Sequence, residues 1–171
     1  MSAGVEGSTA ALGETRPDSC RLSAWVALLD AHSRLTARLE SELEAHHGIS
    51  LAQYEVLYRL SDAPGSRLRL NELTVHARMT KSGVSRLVDR MEHAGLICTE
   101  RCPSDRRGAF AVLTDEGRSV FRRAAAMHMR GVQDYFGRHL DDDEAAQLRV
   151  ALERVRDALP SAGCRGETEA G

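Results

Sequence analysis

The residues with the clearest chemical capacity in this chain fall in two stretches, 80–91 and 102–110. In the first, "TKSGVSRLVDRM", Val84, Leu87, Val88 and Met91 recur at helical spacing and form one apolar face. Ser82, Ser85, Arg86 and Asp89 are left on the other face, and Lys81 stands at the positively polarised N-terminus. Small hydroxyls and one long guanidinium on the N-terminal half of a helix suit the major groove of DNA. Serine can bond several base edges or a phosphate, and arginine can hold guanine O6 and N7 with two bonds. Gly83 falls in the first turn, where it lets the backbone approach a duplex closely. There it costs less than the roughly 1 kcal/mol of a glycine in a helix interior.

The second stretch, "CPSDRRGAF", sets Asp105, Arg106 and Arg107 ahead of Gly108, between the apolar-rich segments "LICTER" and "AFAVL". Pro, Ser, Asp and Gly are turn formers, so this reads as a β-hairpin with a basic tip. An arginine on such a tip can enter the minor groove, where the potential is most negative. Asp105 would be repelled by phosphate and is expected to pair with a neighbouring arginine and fix the tip. Taken singly, the first stretch is also what any amphipathic helix with a solvated face would show, and the second a solvated turn. Their order, helix then basic hairpin, argues for a joint role.

The elements that must position them follow from spacing and caps. Residues 1–20, rich in Gly, Ser, Ala and Glu, are expected to form a flexible arm, because they bury too little to offset the entropy of ordering. From Trp25, apolar residues at helical spacing predict a long first helix that stops at Gly48. His46 and His47 at its end read as favourable charge placement against the helix dipole. Ser50 and Gln53 stand in capping-box register, with Ile49 and Tyr54 placed for a hydrophobic staple, so a second helix begins there and ends near "DAPGS". A short extended piece at "RLRL", a short helix from Asn71 and a tight connection at "ARMT" lead to the helix from Lys81 to Ala94. Thr80 is its expected N-cap, with Gly95 and Leu96 as a Schellman-type end. After the hairpin, Thr114 caps a long helix to about Gly137, with Asp115 and Glu116 at its positive end. A last helix starts near "DDDE", carries Leu148, Leu152, Val155 and Leu159 along one side, and is stopped by Pro160. Residues 161–171 read as a disordered tail.

Composition narrows the class. With 171 residues, 28% charged and 42% apolar, the chain can bury a core and no run suits a membrane span; the absence of a secretion signal suggests a cytoplasmic protein. The formal net charge is −2, yet basic residues outnumber acidic ones between residues 67 and 107, where the two stretches lie. The four cysteines, Cys20, Cys98, Cys102 and Cys164, are expected as thiols rather than disulfides. On a continuous strand Cys98 and Cys102 would stand about 13 Å apart. None of the histidines at 32, 46, 47, 76, 93, 128 and 139 has ligand-like spacing, so neither a metal site nor a cofactor is expected. No glycine-rich phosphate loop, nucleophile elbow or HExxH motif points to an enzyme.

"MTKSGVSRLVDRMEHAGLI" followed by "DRRGAFAVLTDEGR" resembles the MarR family of bacterial winged-helix transcriptional regulators in motif and spacing, over roughly residues 22–158. The resemblance implies a mainly α fold with a small β-hairpin. A winged helix-turn-helix lobe at about 50–113 would be joined to dimerisation helices at about 21–47 and 115–159, in one domain spanning 21–160. It implies a homodimer on double-stranded DNA, ligand-responsive and a repressor, with Thr80, Lys81, Ser82, Ser85 and Arg86 contacting DNA from the helix and Arg106 and Arg107 from the wing. It further implies a small effector, such as an aromatic anion, in a crevice that Trp25, His32, Tyr54 and Tyr58 could line. Some relatives sense peroxides through a cysteine near the start of the first helix. That position falls near Val26, whereas Cys20 is expected to precede the helix. The alternatives are a redox-responsive regulator using its thiols and a helical dimer that binds protein rather than DNA.

Two substitutions separate the roles of helix and hairpin tip. Arg86→Ala, if Arg86 reads a base edge, should weaken operator binding by roughly 1–3 kcal/mol per half-site and relax preference at one position. Arg106→Ala should weaken operator and unrelated duplexes alike and make the salt dependence shallower by about one unit for each phosphate no longer neutralised. Anisotropy titrations at several salt concentrations measure both. An unchanged salt slope in Arg106→Ala would leave the hairpin tip with no part in binding.

Overall fold

Helix boundaries in this chain are set by side chains that satisfy the first-turn amides, and those caps divide the sequence into its elements. The structure is a computed structural model that describes residues 19–76, 80–101 and 108–159. The elements in order are α1 (Ser19–His47), α2 (Leu51–Asp62), β1 (Arg67–Arg69), α3 (Leu70–His76), α4 (Lys81–His93), β2 (Ile97–Arg101), β3 (Ala109–Leu113), α5 (Asp115–Tyr135) and α6 (Asp142–Asp157). The expected arm up to residue 18, the connection at 77–79, the hairpin tip at 102–107 and the tail from Pro160 lie outside the described residues.

The expected caps are present. The Ser50 hydroxyl accepts the Gln53 amide at 3.2 Å and the Gln53 side chain accepts the Ser50 amide at 2.8 Å, while Ile49 and Tyr54 are both buried. Thr80 accepts the Gly83 amide at 3.2 Å and opens α4. At the far end of α4 the Leu96 and Gly95 amides return to the carbonyls of Met91 and Glu92, each at 2.9 Å, with Gly95 at φ +69°. This is the Schellman pattern, and its positive φ favours glycine. Asp141 and Glu144, which also stand in capping-box register in the sequence, form a second capping box at α6.

Three details depart from the sequence-based expectation. α1 begins at Ser19, so Cys20 lies in its first turn rather than ahead of it. Arg21, Leu22 and Ala24 are good helix formers, and Leu22 extends the apolar stripe one turn before Trp25. α5 ends at Tyr135 and a 3₁₀ turn at Gly137–His139 follows, while α6 ends at Asp157, leaving Leu159 beyond it. The hairpin also has a third partner. β3 is the central strand, paired antiparallel with β2 on one side and with β1 on the other, through Arg67↔Val112, Leu68↔Ala111 and Arg69↔Phe110.

Two compact units are distinguished, residues 1–37 and 38–171. The described part of the first is helical and exposes Leu22, Trp25, Val26, Leu28 and Leu29. In the second, Leu57, Leu60, Leu73, Leu87, Met91 and Ile97 are almost wholly removed from solvent, in one cluster that also takes in Val84, Val88, Ala111 and Val120. Each such large side chain contributes about 2 kcal/mol of burial. All four apolar residues read from α4 face this core, so the helix can turn only its polar face outward. α6 has no buried residue.

α5 starts against the end of α4. The Thr114 hydroxyl accepts the Gly117 amide at 2.9 Å and lies 2.7 and 2.9 Å from the Gly95 and Leu96 carbonyls, toward which it donates. Its own amide donates to Leu96 at 3.2 Å. A Cβ on Gly117 would fall 1.9 Å from the Leu96 carbonyl oxygen, so no larger residue fits without moving backbone. Gly117→Ala should therefore destabilise the fold by roughly 3 kcal/mol, the upper end for overpacking. Gly131→Ala, whose new methyl would press first on the flexible end of the Leu39 side chain, should cost far less. Urea unfolding of the two variants compares them, and equal midpoints would show that the close approach at Gly117 is readily relieved.

Candidate nucleic-acid interface

α4 carries the candidate DNA-reading surface because its apolar face is committed to the core. Ser82, Ser85, Arg86 and Asp89 are all exposed, as the spacing predicts, and Thr80 is exposed ahead of them. The Thr80 and Ser82 hydroxyls lie 3.2 Å apart, and Arg86 Nε donates to the Ser82 carbonyl at 3.3 Å, which draws the guanidinium back over the first turn. Three groups able to bond phosphate or base edges are thus gathered at the helix N-terminus, where the dipole favours an anion. Lys81 is the first residue of α4. Asp105, Arg106 and Arg107 lie outside the described residues, as does Cys102.

The stem of the hairpin is ordered around Phe110 by residues that stand outside the two stretches singled out in the sequence. Arg67 stacks over the Phe110 ring at 4.0 Å, Arg69 lies 5.3 Å from the same ring, and Arg67 reaches Glu100 at 3.8 Å. The alternation in "RLR" is the available signal. It turns Leu68 toward Ala111 and both arginines to the outer face of the sheet.

The aromatic residues named for an effector crevice divide between two settings. Trp25 and His32 are exposed on α1 in the first unit. Tyr54 is buried on α2, 5.7 Å from Phe121 and 4.4 Å from His128, both on α5, and Tyr58 is half exposed, 6.3 Å from Phe121. Phe121 and His128 join this group only through the fold, although their seven-residue spacing puts both on one side of α5. Burial pushes the Tyr54 hydroxyl pKa up and holds the His128 imidazole below its usual value; His128 Nδ1 is buried without a hydrogen-bond partner. His47 is likewise held down, by burial first and then by Arg123 and His46, so its placement does not favour the charged form that the helix dipole alone would favour. Cys20 and Cys98 are exposed and not disulfide-bonded. Among the described residues no group of His, Cys, Asp and Glu could hold a metal ion, and no helix is long and apolar enough to cross a membrane.

A short helix, a second helix with an outward polar face and a three-stranded antiparallel sheet define a winged helix-turn-helix. The family model described as MarR family matches residues 47–108. The transcriptional regulator HosA of Escherichia coli O111:H- is 30% identical over 116 residues, covering 67% of this chain and 82% of HosA. Among solved structures, AbsC, a MarR family transcriptional regulator from Streptomyces coelicolor, is 35% identical with a TM-score of 0.79, over 84% of this chain and 97% of AbsC. Sco3205, a MarR family regulator from the same organism solved in complex with DNA, is 31% identical with a TM-score of 0.82, over 90% and 96% of the two chains. This chain belongs to the MarR family of transcriptional regulators.

The depressed pKa of His128 gives stability a pH dependence of definite sign. Above about pH 6.5 the imidazole is neutral in both the folded and the unfolded chain. As the pH falls below that value the unfolded chain takes up a proton that the folded protein resists, so stability is lost toward acid. The melting temperature should fall from pH 7.5 to 5.5, and His128→Phe should flatten that fall without abolishing it, because His47 contributes with the same sign. A wild-type melting temperature independent of pH over this range would contradict the assignment.

Proposed function

We propose that this regulator acts in the cytoplasm as a homodimeric repressor on a pseudo-palindromic DNA operator. The observation that carries the reading is the outward face of α4, where Thr80, Ser82, Ser85 and Arg86 are exposed while the opposite face is locked in the core. In this reading α4, with Lys81 at its start, lies in the major groove. Arg106 and Arg107 extend from the hairpin tip to the minor groove, with Asp105 fixing the tip. The DNA complex of the similar Sco3205 supports the assignment.

Dimerisation is supported by apolar side chains that a single chain leaves in water. Val150, Leu152 and Val155 on α6 and Leu22, Trp25, Val26, Leu28 and Leu29 on α1 are all exposed, which is more than scattered surface residues account for. A second copy would cover them, with helices 21–47 and 115–159 as the dimerisation region and 50–113 as the DNA-reading lobe. A small aromatic anion is the proposed effector, received near Tyr54 and Tyr58. Phe121 and His128 extend the aromatic surface on which it would stack.

Selection of duplexes from a random-sequence pool by the purified protein tests the reading. The expected product is a pseudo-palindrome with half-sites centred about one helical turn, roughly 10 base pairs, apart. A chain ending at Leu140, which lacks α6, should lose dimerisation in sedimentation and operator binding together. Recovery of isolated half-sites, or a truncated chain that still sediments as a dimer, would count against the dimeric model.

A further inference from the structure

Glu92 continues the outward stripe of Ser85 and Asp89 at helical spacing, so under the DNA-binding reading above it adds a carboxylate to the face that would approach phosphate. An acid there weakens binding unless it does something else. Its carboxylate is engaged twice by one residue: the Thr99 amide donates to Glu92 Oε1 at 3.0 Å and the Thr99 hydroxyl donates to the same oxygen at 2.8 Å. These bonds hold the carboxyl below the usual carboxylate range, the hydroxyl bond contributing most.

The outer part of the partner strand is not packed on the helix. Only Ile97 of β2 is buried, and residues 98–101 are exposed. Beyond Ile97, β2 is fastened by its ladder to β3, whose Ala111 and Leu113 lie in the same core cluster as Val84, Leu87, Val88 and Met91 of α4. An open cleft of about 340 Å³ lies between α4 and the sheet at Ser85, Asp89, Glu92, Thr99 and Ala109. On this outer side, beyond the core that α4 shares with the sheet, packing does not fill the space between helix and hairpin, and the Glu92 contact with Thr99 spans it. β2 runs from Thr99 to Arg101, and Arg106 and Arg107 follow in the sequence before β3 begins.

We infer that Glu92 is a positioning residue for DNA recognition: by gripping Thr99 it holds the outer part of the hairpin at a fixed distance from α4, so that helix and hairpin engage one site together. The contact acts on specificity more than on affinity at large. A hairpin released from α4 still offers its arginines to any phosphate, but no longer in register with the groove that α4 reads.

The test uses full-length protein, the duplex that the wild-type chain selects from a random pool, and an unrelated duplex of equal length. If the wild type selects no sequence, the DNA-binding reading itself fails, and the inference with it. Given a selected duplex, Glu92→Ala should lower the ratio of selected to unrelated affinity about tenfold, with binding to the unrelated duplex within about twofold of wild type. Glu92→Gln keeps an oxygen that accepts both bonds and should restore the ratio. Thr99→Val removes the hydroxyl but keeps the amide and should give an intermediate loss. Circular dichroism at the titration temperature identifies folded variants; should Glu92→Ala not fold, the contrast between Glu92→Gln and Thr99→Val carries the test. A ratio unchanged in both Glu92→Ala and Thr99→Val, an equal weakening on both duplexes, or a Glu92→Gln protein as impaired as Glu92→Ala would overturn the inference.

Discussion

The end of α4 is the constraint from which the rest of this lobe follows. At Gly95 the chain takes a positive φ, which closes the Schellman pattern and turns it directly into β2. The carbonyls of Gly95 and Leu96 that the turn exposes are then used by Thr114, whose hydroxyl also caps α5. One turn thus terminates α4, starts the hairpin and seats the longest helix of the second unit. The absence of a side chain at Gly117 is what lets α5 come close enough for this to happen. Because each group satisfies another's hydrogen bond, none of the three can shift alone without breaking one of these bonds.

A second tie joins α5 to the other edge of the sheet. Arg118, in the first turn of α5, donates to the Ser66 hydroxyl at 2.8 Å. Ser66 has φ +54° and follows Gly65 at +66°, so the chain enters β1 through two left-handed residues, one of which bears a side chain. Such a conformation in a serine persists where surrounding contacts over-determine it. The bond from Arg118 is one of those contacts, and the pairing of Arg67 with Val112 immediately follows it. Farther along, the Tyr135 hydroxyl donates to Glu42, which Arg38 also pairs at 3.0 Å, so the far end of α5 is tied to the second half of α1. α5 is therefore held at both ends by polar contacts and along its length by Val120 and Ala124 in the core.

What is legible in the sequence follows the range of the forces involved. Caps and Schellman ends are local, so Ser50, Thr80, Gly95 and Thr114 can be read from neighbours three or four residues away. The buried face of α4 can be read for the same reason, since 3.6-residue periodicity is a property of the segment alone. β1 is less visible as a strand, because so short a segment carries too little pattern and its partner β3 is remote in sequence. The contacts of Glu92 with Thr99 and of His128 with Tyr54 are not visible at all. Each side chain looks ordinary within its own element, and the partner is supplied only by tertiary packing. The start of α1 illustrates a different failure: the first strong aromatic, Trp25, marks where the apolar stripe becomes obvious, whereas helix propensity runs on uninterrupted to Ser19.

The charge balance bears on how a chain of this kind can be selective. With a formal net charge of −2 the molecule as a whole gains no general attraction to a polyanion. Its positive charge is concentrated between residues 67 and 107, and even there Asp89 and Glu92 interrupt the outward face of α4. A uniformly basic face would gain affinity for every duplex, because the phosphate contribution carries no sequence information. Acidic residues within the face penalise any placement that sets them against phosphate, and so favour the placements that set them against bases or protein. For Glu92 the alternative partner is already present in Thr99, which removes part of the penalty in this arrangement of helix and hairpin. Discrimination would then rest on geometry held by a few hydrogen bonds, with net charge contributing little.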